Sequence, residues 1–417
     1  MIQPESILCD SDSCVSCHTR CHRQQRQPAD RDDALVLLFS HADFSLEAEH
    51  IPVRLALHRV TAQDIFARFS LPAAATSQHD GVAVCRAAAE KKLASGSNRL
   101  EKGEFLHCAM GTALPPPFDT VIPLERIRLE GECAVFSALP GQSGGTHTAG
   151  SSVRAGERIV PANHRLTPAS LSFLRLAGVE EIPVWKKPRA VLFPIGGDLV
   201  APGTVPGPGQ YIESDSLLLS AILEECGGTC TVSEILPDST QAICAALEER
   251  AGSCELMVLI GGAGTGGPEF GDCAVQAVQR MGRLLVQGTG FGPGGKPQFL
   301  GAIGGRPVVG IPGPPHAALT QAEQYLPAVM EQFLGCPCYE REELTARLSD
   351  AFHSGARAGY HPHVLLRWEK GECVAHPVTM GDTADCFVNA TAILMQDRDV
   401  APGGTVPVRL VCGSRTA

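Results

Sequence analysis

Leu256-Met-Val-Leu-Ile260 runs straight into Gly261-Gly-Ala-Gly-Thr-Gly-Gly267, and Pro268 and Glu269 close the stretch. Five apolar residues in a row predict a strand buried on both faces, because a strand with one wet face would alternate. Five glycines in the next seven positions let the backbone approach an anion closely and aim N–H groups at it. An enzyme that handles phosphate with a metal places a carboxylate in or just after such a loop. Here Gly267 and Pro268 occupy that place, and Glu269 and Asp272 follow late.

The pattern around this stretch sets the fold class. Residues 189–335 alternate apolar strands with helices: 190–194, 215–225, 230–235, 240–250, 256–260 and 307–311. That alternation predicts an open, mostly parallel α/β sheet, which binds ligands at the strand ends. Three loops fall there: Pro194-Ile-Gly-Gly-Asp-Leu199, the glycine loop at 260–267, and Gly310-Ile-Pro-Gly-Pro-Pro-His316 before a helix starting near Ala317. Free N–H groups at that helix start would hold an anion. Together the loops point to a phosphate-bearing ligand; tight turns between sheet and helices are the bland alternative. Phe291-Gly-Pro-Gly-Gly-Lys-Pro297 adds the only lysine of a long stretch, Lys296.

The rest of the chain is organised in pieces. At 417 residues it has length for about two to four domains, each with its own core. Residues 1–33 read as a Cys-rich segment with a polar linker. Residues 34–70 with 151–187 read as a helical and linking domain, with helical periodicity through 34–39, 52–60 and 64–68. A Thr-Pro start and a Gly stop predict a capped helix over 166–178. Short strands broken by Gly and Pro make 71–150 a β-rich insertion. Residues 188–338 are the α/β domain, and 339–417 return to short strands, read as a small β-barrel. The net charge of −11 argues against nucleic acid or an anionic membrane as partner. The chain has no run of eighteen apolar residues and no basic-then-apolar start, so a cytoplasmic location is expected.

Most of the 17 cysteines are scattered and read as small, reduced core residues. Cys9, Cys14, Cys17 and Cys21 stand apart, spaced C-x4-C-x2-C-x3-C, with His18 directly after Cys17 and His22 directly after Cys21. Thiolates this close in a polar segment can fold around zinc or an iron–sulfur cluster; otherwise they are four free thiols on a tail.

These segments, in this order, resemble the molybdopterin molybdenumtransferase family, the MoeA proteins and the E domain of gephyrin. Leu71-Pro72 with Ser77-Gln-His-Asp-Gly-Val-Ala-Val84 is similar to L-P-x-F-D-N-S-A-M-D-G-Y-A-V. Met110-Gly-Thr-Ala-Leu-Pro115 with Asp119, Val121 and Glu125 resembles T-G-A-P-L-P-E-G-A-D-A-V-V-x-x-E. Residues 188–203 resemble the P-R-V-A-I-L-S-T-G-D-E-L-V-x-P-G strand and turn. Glu213-Ser-Asp-Ser216 stands at N-S-N-S, and Gly310-Ile-Pro-Gly-Pro-Pro315 at G-L-P-G-N-P.

The resemblance implies a homodimer with a β-rich insertion, a molybdopterin-binding α/β domain and a C-terminal barrel. It implies insertion of molybdate (or tungstate) into adenylylated molybdopterin, with AMP released and Mg²⁺ assisting. Carried over by position, Asp80, Asp198 and Lys296 are the catalytic candidates. Gly196, Gly197, Ser214, Asp215, Gly261, Gly262, Gly264, Gly266, Pro312, Gly313 and Pro315 are the cofactor-binding ones. Several acids of the family are replaced: Gly197 and Gly267 stand at two, and Ser152 at a third. The second reading is therefore a homologue that binds molybdopterin or finished cofactor for carriage, maturation or regulation, serving other cofactor-biosynthesis proteins or molybdoenzymes.

Overall fold

The computed structural model describes residues 31–141, 144–263, 272–288, 298–338, 343–352, 363–378, 384–395 and 399–411. The cysteine cluster at 9–21, Gly264, Gly266, Gly267, Glu269 and Lys296 lie outside the described residues. The chain forms two compact units, one of residues up to 46 together with 187–417, the other of residues 47–186.

The first unit contains helix α1 (Arg31–His41) and a six-stranded sheet. Its strands are β1 (Arg189–Pro194), β2 (Thr229–Val232), β3 (Leu256–Ile260), β4 (Arg283–Gly288), β5 (Gln298–Ile303) and β6 (Arg306–Ile311). Between them run α2 (Asp215–Glu225), α3 (Thr240–Arg250) and α4 (Cys273–Met281), and α5 (Pro315–Leu334) follows. The order is β2-β1-β3-β6-β5-β4, with β2, β1, β3 and β6 parallel and β5 and β4 antiparallel. The chain leaves β1 to one side and returns to β3 on the other, so the sheet reverses direction between these two strands. That is where such sheets open a crevice.

All five residues of β3 are buried. Alternate side chains enter two cores: Leu256, Val258 and Ile260 pack with α1, α2 and α5, while Met257 and Leu259 pack with α3 and α4. Each fully buried Leu, Ile, Val or Met contributes about 1.5–3 kcal/mol by leaving water. Strands β4 and β5 flank the Gly- and Pro-rich sequence 289–297, which hid them from periodicity. At the opposite end of the sheet Arg189 grips Glu255: Nε and Nη2 donate to the carboxylate at 3.0 and 2.6 Å. This fixes the register of β1 against β3.

The barrel expected at the C-terminus is present and closed. Its strands are β7 (Glu343–Leu348), β8 (His363–Glu369), β9 (Glu372–Pro377), β10 (Ala392–Leu394) and β11 (Thr405–Leu410), in the order β7-β9-β8-β10-β11. Ala346, Leu348, Val364, Leu366, Val406 and Val408 fill its interior.

In the second unit, strand Ala48–Pro52 pairs antiparallel with Glu181–Trp185. Two three-stranded sheets follow, one built on Gly81–Val84 and one on Cys133–Phe136. Helix Pro168–Leu176 starts as its sequence predicts, with a reciprocal cap between Thr167 and Ser170. The helical reading of 52–68 does not hold. Those residues form one 3₁₀ turn, Val53–Leu55, and a short strand, Ile65–Phe66, paired with Arg158–Val160. Val53, Ala56, Val60 and Ile65 are buried as the period suggests, but along a bent, extended path. Thr61 Oγ1 donates to Pro161 O at 2.7 Å and Asp64 Oδ1 accepts from Ala162 N–H at 2.8 Å. These distant partners satisfy polar groups that a helix would leave to itself.

His363 opens β8 and is 1% exposed. Burial, with His316 nearby, pushes its pKa from 6.5 down to about 4. The folded chain thus refuses a proton that the unfolded chain takes up. Stability present above pH 6.5 is lost as pH falls toward 4, where the folded group also protonates. Acid titration of the urea midpoint is expected to decline across this window, and His363→Leu should flatten that part of the profile.

Candidate functional site

Three strand ends meet at the sheet reversal: Pro194–Ile195 after β1, Ile260–Gly261 after β3 and Ile311–Pro312 after β6. Hydrogen bonds lock them together. Ile195 N–H donates to Ile260 O at 2.8 Å, and Gly261 N–H to Ile311 O at 2.9 Å. Gly261 sits at φ +89°, and a Cβ there would lie 2.4 Å from Ile195 O. Only glycine permits this approach.

A cavity of about 590 Å³ opens beside these ends, a size suited to a heterocyclic ligand. Ile195, Leu199, Ile212 and Ile260 give it apolar walls, Tyr211 an aromatic one, and Gly313, Pro314 and Pro315 a side from the α5 loop. Asp198, Glu213, Ser214 and Asp215 supply its polar groups. No Lys, Arg or His is among the described residues that line it.

The loops place these side chains by short-range bonds. Tyr211 N–H donates to Asp198 O at 2.9 Å and Glu213 N–H to Val200 O at 2.9 Å, carrying the chain back across the cavity into α2. Glu213 is 7% exposed. Its Oε1 accepts from Ser216 N–H at 2.8 Å and its Oε2 from the Ser216 hydroxyl at 2.6 Å. Acids at a helix start are favoured by the helix dipole, so Glu213 caps α2 as well as facing the cavity.

The structure thus brings Asp198, Ser214, Asp215, Gly313 and Pro315 to one cavity, with Gly196, Gly197, Gly261, Gly262 and Pro312 in the loops that carry it. Asp80 belongs to the other unit, where its Oδ1 accepts the Met110 N–H at 2.7 Å. The expected row of free donors is not what the loops provide. Gly196 N–H donates to Leu236 O at 3.0 Å, and Gly197 N–H to Asp238 Oδ2 at 2.8 Å. At α5, Ala317 and Ala318 N–H both donate to Pro314 O. Prolines at 312, 314 and 315 have no N–H to give. Asp272, a late acid after the glycine loop, is engaged by Gln276 Nε2 at 2.9 Å.

Sequence reading missed Glu213, Tyr211 and Asp238 as parts of this site. Glu213 had a signal: an acid three residues before a serine at a helix start is cap spacing. Asp238 also did, in Leu236-Pro-Asp-Ser239 ahead of α3. Tyr211 had none, since an exposed tyrosine between Gly/Pro turns is ordinary.

A parallel-sheet crevice at a strand reversal, joined to a closed five-stranded barrel, defines a multidomain α/β ligand-binding protein. Comparison with known proteins narrows the class. The profile described as MoeA N-terminal region (domain I and II) matches residues 29–178, and that of the probable molybdopterin binding domain matches 192–332. Molybdopterin molybdenumtransferase 2 of Mycobacterium tuberculosis is 25% identical over 295 residues, 70% of this chain and 72% of that protein. The molybdopterin molybdenumtransferase of Haemophilus influenzae is 23% identical over 316 residues, 73% and 77% of the two. The molybdopterin biosynthesis MoeA protein of Pyrococcus horikoshii has the same fold, at a TM-score of 0.74 and 22% identity, covering 91% of this chain and 99% of that one. The chain belongs to the MoeA family of molybdenum cofactor biosynthesis proteins.

Gly261→Ala is expected to cost about 1–3 kcal/mol in chemical denaturation through backbone strain. Gly252→Ala, whose Cβ would meet nothing within 4 Å, should leave the midpoint unchanged.

Proposed function

We propose that this chain holds adenylylated molybdopterin at the α/β cavity while molybdate is inserted and AMP is released. The observation that carries the reading is the position of the cavity, at the strand reversal of the domain matched by the molybdopterin-binding profile. The relatives' names, molybdopterin molybdenumtransferase, support the reaction. Asp198 at the cavity, with Asp80 and Lys296, are the proposed catalytic groups. The reading includes a cytoplasmic homodimer.

Magnesium, which the resemblance brings with it, finds no ready set of ligands. Among the described residues no three of His, Cys, Asp and Glu group to hold a metal. Both Glu213 oxygens already accept from Ser216, and Gly197 stands at a family acid. This deficit favours one second reading: a protein that binds molybdopterin or finished cofactor without turnover, for carriage, maturation or regulation.

The test is AMP release from adenylylated molybdopterin with molybdate and Mg²⁺. Release is expected, and Asp198→Asn should slow it by about 100-fold, the usual order for one acid–base group. Tight binding without AMP would instead establish the second reading.

For the tail, we propose that Cys9, Cys14, Cys17 and Cys21 chelate zinc or an iron–sulfur cluster. Elemental analysis should find stoichiometric zinc or iron in the full chain and none after removal of residues 1–30. Equal metal in both would overturn this.

A further inference from the structure

Helices α3 and α4 stand side by side on one face of the sheet, and one side chain joins their first turns. Gln276, half-buried on α4, makes the join. Its Nε2 donates to Asp272 Oδ1 at 2.9 Å, and its Oε1 accepts from the Thr240 hydroxyl of α3 at 3.2 Å. Gln276 N–H also donates to Asp272 O at 3.1 Å, so acid and amide are neighbours on one helical turn. An ionised carboxylate can only accept. Asp272 therefore fixes which way the amide points, its NH₂ to the acid and its carbonyl to Thr240.

Each end of this bracket reaches a loop of the site. At α4, Ala274 N–H donates to Gly262 O at 3.1 Å, pinning the helix start to the turn after β3. At α3, Thr240 closes the turn 236–240, which takes both N–H groups of the loop after β1. Gly196 N–H donates to Leu236 O at 3.0 Å and Gly197 N–H to Asp238 Oδ2 at 2.8 Å, and Asp198 is the next residue. A Cβ at Gly197 would meet only that Asp238 oxygen within 4 Å, so a hydrogen bond and not packing holds the loop there. Asp238 is itself exposed. Its place is set by its turn, which Leu236 anchors in the core at one end and Thr240 fastens to Gln276 at the other.

Resting on the proposed reading of Asp198 as a catalytic group, we infer that Gln276 is a positioning residue of this site. It acts through Thr240 and Asp238 on the loop that carries Asp198, and Asp272 orients its amide. Its carboxamide is spent on these two partners. It couples the loop after β1 to the turn after β3, so that neither shifts without the other.

The test follows amide hydrogen exchange across residues 194–200 in the full chain, together with the kinetics of AMP release. Gln276→Met keeps length and helix propensity and removes both side-chain bonds. It is expected to speed exchange at Gly196 and Gly197 by about five- to tenfold, the scale of one neutral hydrogen bond, with exchange in the barrel unchanged. AMP release should lose a similar factor in kcat, with KM changed less. Gln276→Glu sets a second carboxylate against Asp272 and should loosen the same amides. Adding Asp272→Asn returns an amide and a carboxylate with the roles exchanged, and should restore both slow exchange and kcat. Exchange across 194–200 in Gln276→Met equal to wild type would overturn the inference. So would a double variant no better than Gln276→Glu, or faster exchange with kcat untouched. If Gln276→Met fails to fold, Thr240→Ala cuts the same bond from α3 and decides by the same readings. Wild-type protein that releases no AMP sinks the proposed function, and exchange alone then decides the positioning role.

Discussion

The double burial of β3 governs the first unit. With all five of its side chains inside, the strand must have helices on both faces and a paired strand on both edges. Residue by residue, β1 and β6 supply the edges, α1, α2 and α5 one face, α3 and α4 the other. A strand so enclosed leaves only its end for chemistry. The glycine after it, Gly261, bends the chain so closely past Ile195 that no side chain fits between them. The crevice is therefore a by-product of the packing, placed before any ligand is considered.

That geometry changes what the glycines mean. They look like donors for an anion, yet Gly196, Gly197 and Gly261 act as close-packing joints whose N–H groups are already engaged. The polar side chains facing the cavity are three carboxylates, Asp198, Glu213 and Asp215, and the hydroxyls of Ser214 and Tyr211.

Much of the architecture was legible from local pattern. β3 announced itself by length and composition, the Thr167 cap by its residue types, and the barrel by its short strands. The path from 52 to 68 was not, because Val53, Ala56 and Val60 recur at helical spacing while their polar neighbours bond to residues about a hundred positions away. Periodicity records which side chains are buried and is blind to the route between them. At the site, glycines were readable as glycines, but whether an N–H is free depends on partners such as Asp238, remote in sequence from Gly197. Glu213 was overshadowed by the neighbouring acid that motif alignment singled out.

The strand pairing of Ala48–Pro52 with Glu181–Trp185 brings the two ends of the 47–186 unit together, with Lys186 N–H on Glu47 O at 2.9 Å. The unit is thus spliced into the first one between α1 and β1. During synthesis α1 emerges before the interposed unit, but the elements it packs against most, β4, β5 and α5, begin only at residue 283. Domains fold as units while the chain emerges. So α1 must wait, its apolar face uncovered, while the interposed unit completes itself and most of the sheet is made. A helix made before the interposed unit is among the last to find its place.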